Sequence, residues 1–212
     1  MEDIILVGFG GHAKSVLDSI ERGRIYNIIG FTDIEKMAPY RGYKYLGTDS
    51  CLASYFSKGV RNACICVGYM GNGRIRDTIY NMVKKIGFRL PVISDPAAVI
   101  SRDVSIGEGT FIGKNVIINA DSKIGKMCII NSGSLVEHEN VIGDFVHLAV
   151  GSVLCGNVNV SDHSFIGANS TIIQGITIGN NSQIGAGAVV VDNIPKDCIA
   201  AGIPAKVIKC KE

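Results

Sequence analysis

A six-residue repeat runs from Ile100 to Val190 and constrains the fold more than any other feature of this chain. Every sixth residue in that stretch is Ile, Leu or Val, sixteen times without a change of phase. Two residues before each of them stands a small or slender residue, except at Asn140 and Ile176. A period of six fits neither an amphipathic helix nor an alternating strand. It predicts a parallel β-helix of triangular coils, in which each side is one hexapeptide and the aliphatic residue points inward. With three hexapeptides to a coil, the sixteen would form a little over five coils. The height of the prism would be roughly 25 Å.

Apolar runs alternate with amphipathic stretches through the first 95 residues. The pattern predicts strands over residues 3–8, 28–31 and 63–67, and helices from Ala13 and over residues 51–58 and 74–86. Residues 88–93 complete the unit. This alternation is typical of a small, Rossmann-like α/β domain with a parallel sheet. A turn with a proline stop, Ser94-Asp95-Pro96, follows, so we expect one domain over residues 1–95 and a second over residues 96–212.

The loop after the first predicted strand, Gly8-Phe9-Gly10-Gly11-His12-Ala13, fits the glycine fingerprint of nucleotide-binding turns. Glycines let a phosphate approach the backbone closely, and a helix N-terminus attracts the anion. Asp33 stands 25 residues beyond Gly8, where a ribose-binding carboxylate is expected. The unit is too short for a full dinucleotide fold, so we expect a mononucleotide; a tight turn that binds nothing is the alternative. His12 could donate to a phosphate or cap the helix locally.

A second glycine-bearing loop covers residues 68–76, on the same carboxyl edge of the predicted sheet. Open α/β sheets bind ligands at that edge. Asn72 and Arg76 are its most useful polar groups, although Arg76 could equally lie on a solvated helix face.

The segment from Glu137 to His147 carries charged and titratable side chains in a repeat that is otherwise poor in them. It holds two of the four histidines of the chain, His138 and His147, both outside the inward positions. Their nine-residue spacing is half a coil, so they should emerge in different directions from one prism. They could meet only where two prisms lie side by side, which favours a site at the subunit interface of a homo-oligomer. The alternative is a pair of solvated surface histidines.

Composition argues against several classes of function. A net charge of +2 does not favour a nucleic acid or an anionic membrane as partner. The first residues lack the basic region of a signal peptide, and no apolar run approaches transmembrane length. The seven cysteines are expected to be free thiols in a reducing cytoplasm, and no second pair at zinc-finger spacing accompanies Cys64 and Cys66. We therefore expect a cytoplasmic protein without a membrane span.

Several motifs together resemble the left-handed β-helix acyltransferases. They are the hexapeptide array, the segment Glu137-His138-Glu139-Asn140, and the run Ala-Gly-Ile-Pro-Ala-Lys over residues 201–206. The glycine loop with its helix start, residues 8–16, is similar to one branch in particular. That branch contains bacterial nucleotide-sugar N-acetyltransferases acting on 4-amino-4,6-dideoxy sugars, and enzymes of the sialic acid O-acetyltransferase type. The resemblance covers essentially the whole chain and implies a left-handed β-helix, against the usual right-handed crossover.

The resemblance implies roles for individual residues. His138 would be the general base, and Glu139 the carboxylate that orients it. His147 and the backbone N–H of Gly156 would contact the thioester carbonyl of the co-substrate acetyl-CoA, and Lys206 would lie near the nucleotide end of the coenzyme. The nucleotide-activated amino sugar would be held by Gly8, Gly10, Gly11, His12, Asp33, Asn72 and Arg76. The family also implies a homotrimer with active sites between subunits, and no metal.

One departure from the family pattern lies in the second loop. The family usually has a compact Gly-Asp/Asn-Asn followed by an arginine, whereas Tyr69 and Met70 intervene here. Arg74 and Arg76 are both open as the counterpart of that arginine.

Acyl transfer from a thioester gives these residues a consistent chemistry. The attacking sugar amine or hydroxyl must lose a proton, and an imidazole beside a carboxylate can accept it. No cysteine lies nearby in the pattern, so we expect direct attack in a ternary complex. Adjacent residues of a strand face opposite ways, so Glu139 reaches the His138 ring only if the chain bends there. Otherwise Glu137 or a carboxylate of another subunit would serve.

Three other functions fit parts of the sequence. The acceptor could be a sugar hydroxyl, as in sialic acid O-acetylation. A non-catalytic nucleotide-sugar-binding protein would keep the glycine loop without needing His138. A γ-carbonic anhydrase needs three converging histidines, two of them five residues apart, but Ala168 stands five residues after His163, so that metal site is incomplete.

Overall fold

A computed structural model describes residues 1–70 and 74–210 of the chain. The described chain separates into two compact units. The N-terminal unit comprises residues 1–68 and 74–96, and the hexapeptide unit comprises Tyr69, Met70 and residues 97–210. In the described residues, no helix is both long enough and apolar enough to cross a membrane.

The N-terminal unit is a parallel sheet of four strands with helices, and the strands lie in the order Tyr45–Gly47, Tyr26–Thr32, Glu2–Val7 and Asn62–Ile65. This arrangement confirms the predicted α/β class. Its elements, in chain order, are β1 (Glu2–Val7), α1 (Gly11–Gly23), β2 (Tyr26–Thr32), β3 (Tyr45–Gly47), a 3₁₀ turn (Asp49–Cys51), α2 (Leu52–Ser57), β4 (Asn62–Ile65), α3 (Ile75–Ile86) and β5 (Ile93–Ser94).

Burial explains why the central strand and its helix form where they do. Residues 4–7 of β1 are fully buried, as expected for a central parallel strand. Helix α1 places Val16, Leu17 and Ile20 on its buried face. Strand β3 was not predicted, and it exists because Tyr45 pairs with Phe31 of β2. Residues 88–93 contribute only a bridge at Arg89 and the first residue of β5.

The hexapeptide unit contains sixteen two-residue strands that stack in coils. From Val99 to Ile172, each strand pairs in parallel with the strand eighteen residues further on, as Lys123 does with Val141. Three faces result, and they confirm the predicted β-helix. Face 1 contains β6 (Val99–Ile100), β9 (Ile117–Ile118), β12 (Leu135–Val136), β15 (Val153–Leu154), β18 (Thr171–Ile172) and β21 (Val189–Val190). Face 2 contains β7 (Ser105–Ile106), β10 (Lys123–Ile124), β13 (Val141–Ile142), β16 (Asn159–Val160) and β19 (Thr177–Ile178). Face 3 contains β8 (Phe111–Ile112), β11 (Ile129–Ile130), β14 (His147–Leu148), β17 (Phe165–Ile166) and β20 (Gln183–Ile184).

The inward aliphatic residues form the core of the prism. From Ile112 to Val190, all fourteen residues at the six-residue period are buried, each 4% exposed or less. Ile100 and Ile106, in the first coil, are only half-buried. Removing such side chains from water contributes about 1.5–3 kcal/mol each, which makes this column the main source of stability.

The corners of the prism share a backbone conformation that the hexapeptide pattern did not predict. Every sixth residue from Gly109 to Gly187 has a positive φ, between 53° and 75°. Ten of these fourteen corners carry Gly, Asn or Asp, which tolerate the left-handed region best. The four exceptions are Met127, Glu139, Phe145 and His163.

A hairpin ends the described chain. Strand β22 (Cys198–Gly202) continues face 3 beyond β20, and β23 (Ala205–Cys210) pairs with it in antiparallel fashion. The seven cysteines are free thiols, and Cys198 and Cys210 place their Sγ atoms 3.0 Å apart.

Candidate active site

The N-terminal unit contains a cavity of about 420 Å³ beyond the carboxyl ends of β1, β2 and β4. The glycine loop after β1, Asp33 after β2, and residues 66–68 after β4 line it. Open α/β sheets bind ligands at this kind of switch point, where neighbouring strands connect in opposite directions. The structure thus brings five residues that the sequence assigns to the substrate into one cavity: Gly8, Gly10, Gly11, His12 and Asp33.

The glycines of the loop are required for different reasons. Gly8 has a φ of +84°, and a Cβ there would lie 2.6 Å from Cγ2 of Val67. Gly10 and Gly11 would place a Cβ in open space, so packing within the unit does not require glycine at either position. The first turn of α1 carries no acidic residue, which leaves its partial positive charge available to an anion.

Two side chains in the walls of this cavity differ in charge: Asp33 is a carboxylate and Cys66 is a neutral thiol. Asp33 accepts the backbone N–H of Phe9 at 2.7 Å, which ties the carboxylate to the glycine loop. Burial raises the pKa of the Cys66 thiol well above its usual value, so this side chain is a neutral wall and not a thiolate nucleophile.

The second loop differs from the sequence prediction at Arg76. That side chain is 3% exposed and donates to the backbone carbonyl of Val67, so its interpretation as a solvated helix face is wrong. Arg74 is exposed and pairs with Asp77 at 3.5 Å. Asn72 lies outside the described residues. Contact of Arg76 with a substrate stays a prediction; in the structure it holds the chain just after β4.

The corner between faces 1 and 2 carries His138 and Glu139. Glu139 has a φ of +60°, and this bend brings its carboxylate back to the neighbouring ring, with Oε2 3.0 Å from Nδ1 of His138. Glu137 accepts the backbone N–H of His138 at 3.3 Å and so takes a different role. Since a carboxylate accepts, this contact places a proton on Nδ1, and in the neutral form of the ring Nε2 has the lone pair.

The His138 ring lies over Gly156, one coil further along the same corner. A Cβ at Gly156 would lie 2.5 Å from Cε1 and 2.6 Å from Nε2 of His138. Gly156 itself is buried, and its backbone N–H has no acceptor among the described residues. The base atom of the imidazole and an available N–H therefore occupy adjoining coils of one corner.

Asn140 stabilises this corner and was missed as a functional residue. It is fully buried; its Nδ2 donates to the backbone carbonyl of Glu137, and its Oδ1 accepts the N–H of Val158 at 2.9 Å. These contacts close the turn that presents His138 and link it to the next coil. Its departure from the small-residue rule of the repeat was the available signal.

His147 lies on face 3, away from the corner that carries His138. It lines a cavity of about 570 Å³ together with mostly apolar and small residues, among them Met70, Phe165, Gln183 and Ile199. Its Nε2 is 3.4 Å from Nδ2 of Asn131, and its Nδ1 contacts the backbone carbonyl of Tyr69. Sequence analysis assigned no role to Asn131, and no pattern in the sequence indicates it.

Lys206 lies on β23, directly opposite Ala201 of β22. Its side chain is 69% exposed, with Nζ 3.4 Å from Oδ2 of Asp192. An exposed pair of this kind contributes little to stability, so the ammonium group is available to an anionic ligand. Among the described residues, no group of three or more His, Cys, Asp or Glu side chains converges as metal ligands would.

Comparison with known families matches both units. The PglD N-terminal domain matches residues 3–83, the bacterial transferase hexapeptide (six repeats) matches residues 103–138, and the hexapeptide repeat of succinyl-transferase matches residues 157–191. Comparison with curated proteins gave no match.

Solved structures match the chain over nearly its whole length. PerB from Caulobacter crescentus, in complex with CoA and GDP-perosamine, is 33% identical with a TM-score of 0.92, over 99% of this chain and 98% of PerB. The acetyltransferase domain of PglB from Neisseria gonorrhoeae FA1090 is 32% identical with a TM-score of 0.91, over 98% of this chain and 100% of that domain. WeeI from Acinetobacter baumannii AYE is 26% identical with a TM-score of 0.86, over 98% and 100% of the two chains.

A hexapeptide prism with a His–Glu pair at one corner, joined to a PglD-type N-terminal unit, is the architecture of a sugar acyltransferase. The chain belongs to the left-handed β-helix acetyltransferases of the hexapeptide-repeat family that includes PerB and the acetyltransferase domain of PglB.

Proposed function

We propose that this protein transfers the acetyl group of acetyl-CoA to the 4-amino group of a nucleotide-linked 4-amino-4,6-dideoxy sugar. The observation that carries the proposal is the His138–Glu139 pair seated over Gly156. Glu139 holds the proton on Nδ1, so Nε2 is the atom that takes the proton from the attacking amine. The nitrogen then attacks the thioester carbon, and the C–S bond breaks as the tetrahedral intermediate collapses. The proton held on Nε2 passes to the sulfur, so the coenzyme leaves as its thiol.

The backbone N–H of Gly156 is the proposed oxyanion donor. It lies in the coil next to His138 and has no acceptor among the described residues. A donor aimed at the developing oxyanion typically stabilises such a transition state by about 3–4 kcal/mol.

The cavity of the N-terminal unit is the proposed nucleotide-sugar site, and residues 1–95 the domain that holds it. Its open glycines at the start of α1 suit the pyrophosphate, and Asp33 suits a ribose hydroxyl. An amine acceptor is supported by a neighbour, the perosamine N-acetyltransferase of Caulobacter crescentus, a mutant of which was crystallised with CoA and GDP-perosamine.

The cavity on face 3 is the proposed site for the coenzyme arm, within an acyl-transfer domain of residues 96–212. Its apolar lining suits an extended pantetheine chain, and His147 supplies a polar contact. Lys206 would meet the phosphates of the nucleotide end. A PglB acetyltransferase domain was solved in complex with acetyl coenzyme A.

A homotrimer would complete the active site. His138 and His147 lie on different parts of one prism, so a single chain does not unite them. The outward residues of face 1 are aliphatic in five coils of six: Val99, Ile117, Leu135, Val153 and Val189, with Thr171 as the exception. Packing of this face against a second copy would bury it. We expect the assembly to work in the cytoplasm, where acetyl-CoA and nucleotide sugars are made.

The proposal is tested by measuring CoA thiol release with 4-amino-4,6-dideoxy sugars linked to GDP, UDP or dTDP, and with free sialic acid. We expect turnover with at least one amino sugar, and a decrease in kcat of about 10²- to 10⁴-fold for His138→Ala. Asn180→Ala changes an exposed residue at the same position of a later hexapeptide, at the corner between faces 2 and 3, and is the matched control. An active His138→Ala enzyme would refute the mechanism, and turnover of sialic acid alone would refute the amine acceptor.

A further inference from the structure

We propose that Tyr69 is a positioning residue that holds His147 in its Nδ1–H tautomer, so that His147 meets the acyl donor as a hydrogen-bond acceptor. The catalytic consequence rests on the proposed function, but the tautomer does not. Tyr69 stands where the second loop departs from the family pattern, and the function proposed above gives it no role.

Tyr69 contacts the prism through both its side chain and its backbone. The residue is 8% exposed, and its hydroxyl donates to the backbone carbonyl of His163 at 2.6 Å. Its own carbonyl oxygen contacts Nδ1 of His147. A carbonyl oxygen has no hydrogen and can only accept, so this contact requires the proton on Nδ1.

Asn131 requires the same tautomer from the opposite side of the ring. Its Oδ1 accepts the backbone N–H of Ser132 at 2.8 Å, which turns its Nδ2 towards the imidazole. Nδ2 is 3.4 Å from Nε2 of His147, and an amide nitrogen donates, so Nε2 presents its lone pair. The edge-on contact with Phe165, 5.2 Å between ring centroids, restricts the plane of the imidazole further.

This tautomer decides which group of a coenzyme His147 can bind. Nε2 without a proton cannot donate to a thioester oxygen, but its one lone pair can accept a coenzyme N–H in place of the 3.4 Å contact with Nδ2 of Asn131. The pantetheine arm of coenzyme A carries two amide N–H groups, and the cavity beside His147 is largely apolar. We therefore assign His147 to the arm, in place of the thioester contact that the family resemblance implies. The thioester oxygen is left to the N–H of Gly156.

The tautomer is measured by ¹⁵N NMR on histidine-labelled protein without substrates, with the His147 signals assigned from His147→Asn. We expect a neutral Nδ1–H ring in the wild type and a mixture of tautomers in Tyr69→Phe, which lacks the hydroxyl that anchors the loop. Asn131→Asp replaces the donor with an acceptor and should place a proton on Nε2 as well. Tyr55→Phe, in α2 of the N-terminal unit, is the matched control. An Nε2–H ring in the wild type, or a Tyr69→Phe spectrum identical to it, overturns the assignment.

Steady-state kinetics give the second readout. We expect Tyr69→Phe to raise the KM for acetyl-CoA by about 2- to 12-fold, the equivalent of one hydrogen bond, with kcat little changed. A loss confined to kcat would contradict a role in holding the arm. If no acetyl transfer is found in the wild type, the proposed function fails while the NMR result still decides the tautomer.

Discussion

At the scale of single residues, one backbone angle makes the His138–Glu139 pair possible. Adjacent side chains in a strand point apart, yet the left-handed φ of Glu139 turns its carboxylate onto the preceding ring. A residue with a Cβ costs roughly 1–2 kcal/mol in that conformation. Asn140 offsets part of this cost, because its buried side chain bonds both Glu137 and Val158. The corner thus combines an unfavourable backbone conformation at Glu139 with stabilising hydrogen bonds from Asn140.

Gly156→Ala tests the seating of His138 without removing any functional group. The new Cβ would lie 2.5 Å from the imidazole, so the ring must shift, and a displacement of about 1 Å can cost about 10²-fold in rate. We expect kcat/KM to fall by that order. The φ of Gly156 is not in the left-handed range, so the melting temperature should stay close to that of the wild type. Wild-type turnover in this variant would contradict the placement of the base.

Sequence patterns indicated the residues proposed for the chemistry, but not the residues proposed to position them. His138, Glu139 and Asp33 stand in recognisable motifs. Asn131 and Tyr69 act through contacts with residues 16 and 78 positions away, which no local pattern encodes. The guanidinium of Arg76 reaches back to the carbonyl of Val67, so its helical position alone gave no indication of its burial.

At the scale of elements, period and length separate the strands that were predicted from the one that was not. Sixteen aliphatic residues at a constant six-residue spacing fit one arrangement of strands, the β-helix. Strand β3 has only three residues, none of them buried, and exists through its pairing with β2. Likewise, Gly, Asn and Asp recur every six residues at the left-handed corners. Four bulky residues interrupt this series, so the pattern was not recognised in the sequence.

The strand–loop–helix element of β1 and α1 provides a matched pair of glycine variants. Gly8→Ala places a Cβ 2.6 Å from Val67 at a φ of +84°, so we expect unfolding free energy to fall by about 1–3 kcal/mol. Gly11→Ala meets no atom within 4 Å and should keep or raise stability. In the proposed nucleotide site, the Cβ added in Gly11→Ala would obstruct the phosphate. The affinity of that variant for GDP, UDP or dTDP should therefore fall at least about tenfold.

Denaturant titration and nucleotide binding on both variants separate the two roles. Unchanged nucleotide affinity in Gly11→Ala would place the ligand elsewhere. Unchanged stability in Gly8→Ala would contradict the close packing of the loop against β4.

At the scale of the whole molecule, face 1 provides the test of assembly. Ile117→Lys with Val153→Lys puts two charges on this aliphatic column, and we expect light scattering to report a smaller species than the trimer proposed for the wild type. Acetyl transfer should be lost with it, because His138 and His147 lie on different parts of one chain. Val141→Lys is the matched control. Val141 is 44% exposed, about as much as Ile117 at 40%, but it lies on face 2 beside polar outward residues.

A trimeric, active double variant would show that face 1 is not the interface. A Val141→Lys variant that dissociates would assign the contact to face 2 instead.

The eighteen-residue pairing register also limits how such a chain can change in length. An insertion or deletion of six residues within the prism moves every later strand to the next face, which would rotate His147 away from its partners. A change of eighteen residues restores all three faces and alters only the height of the column. Extra residues that bulge out at a corner leave the stacking intact. Proteins of this architecture can therefore be lengthened or shortened by whole turns, and divergence in length between relatives should come in that unit or as corner loops.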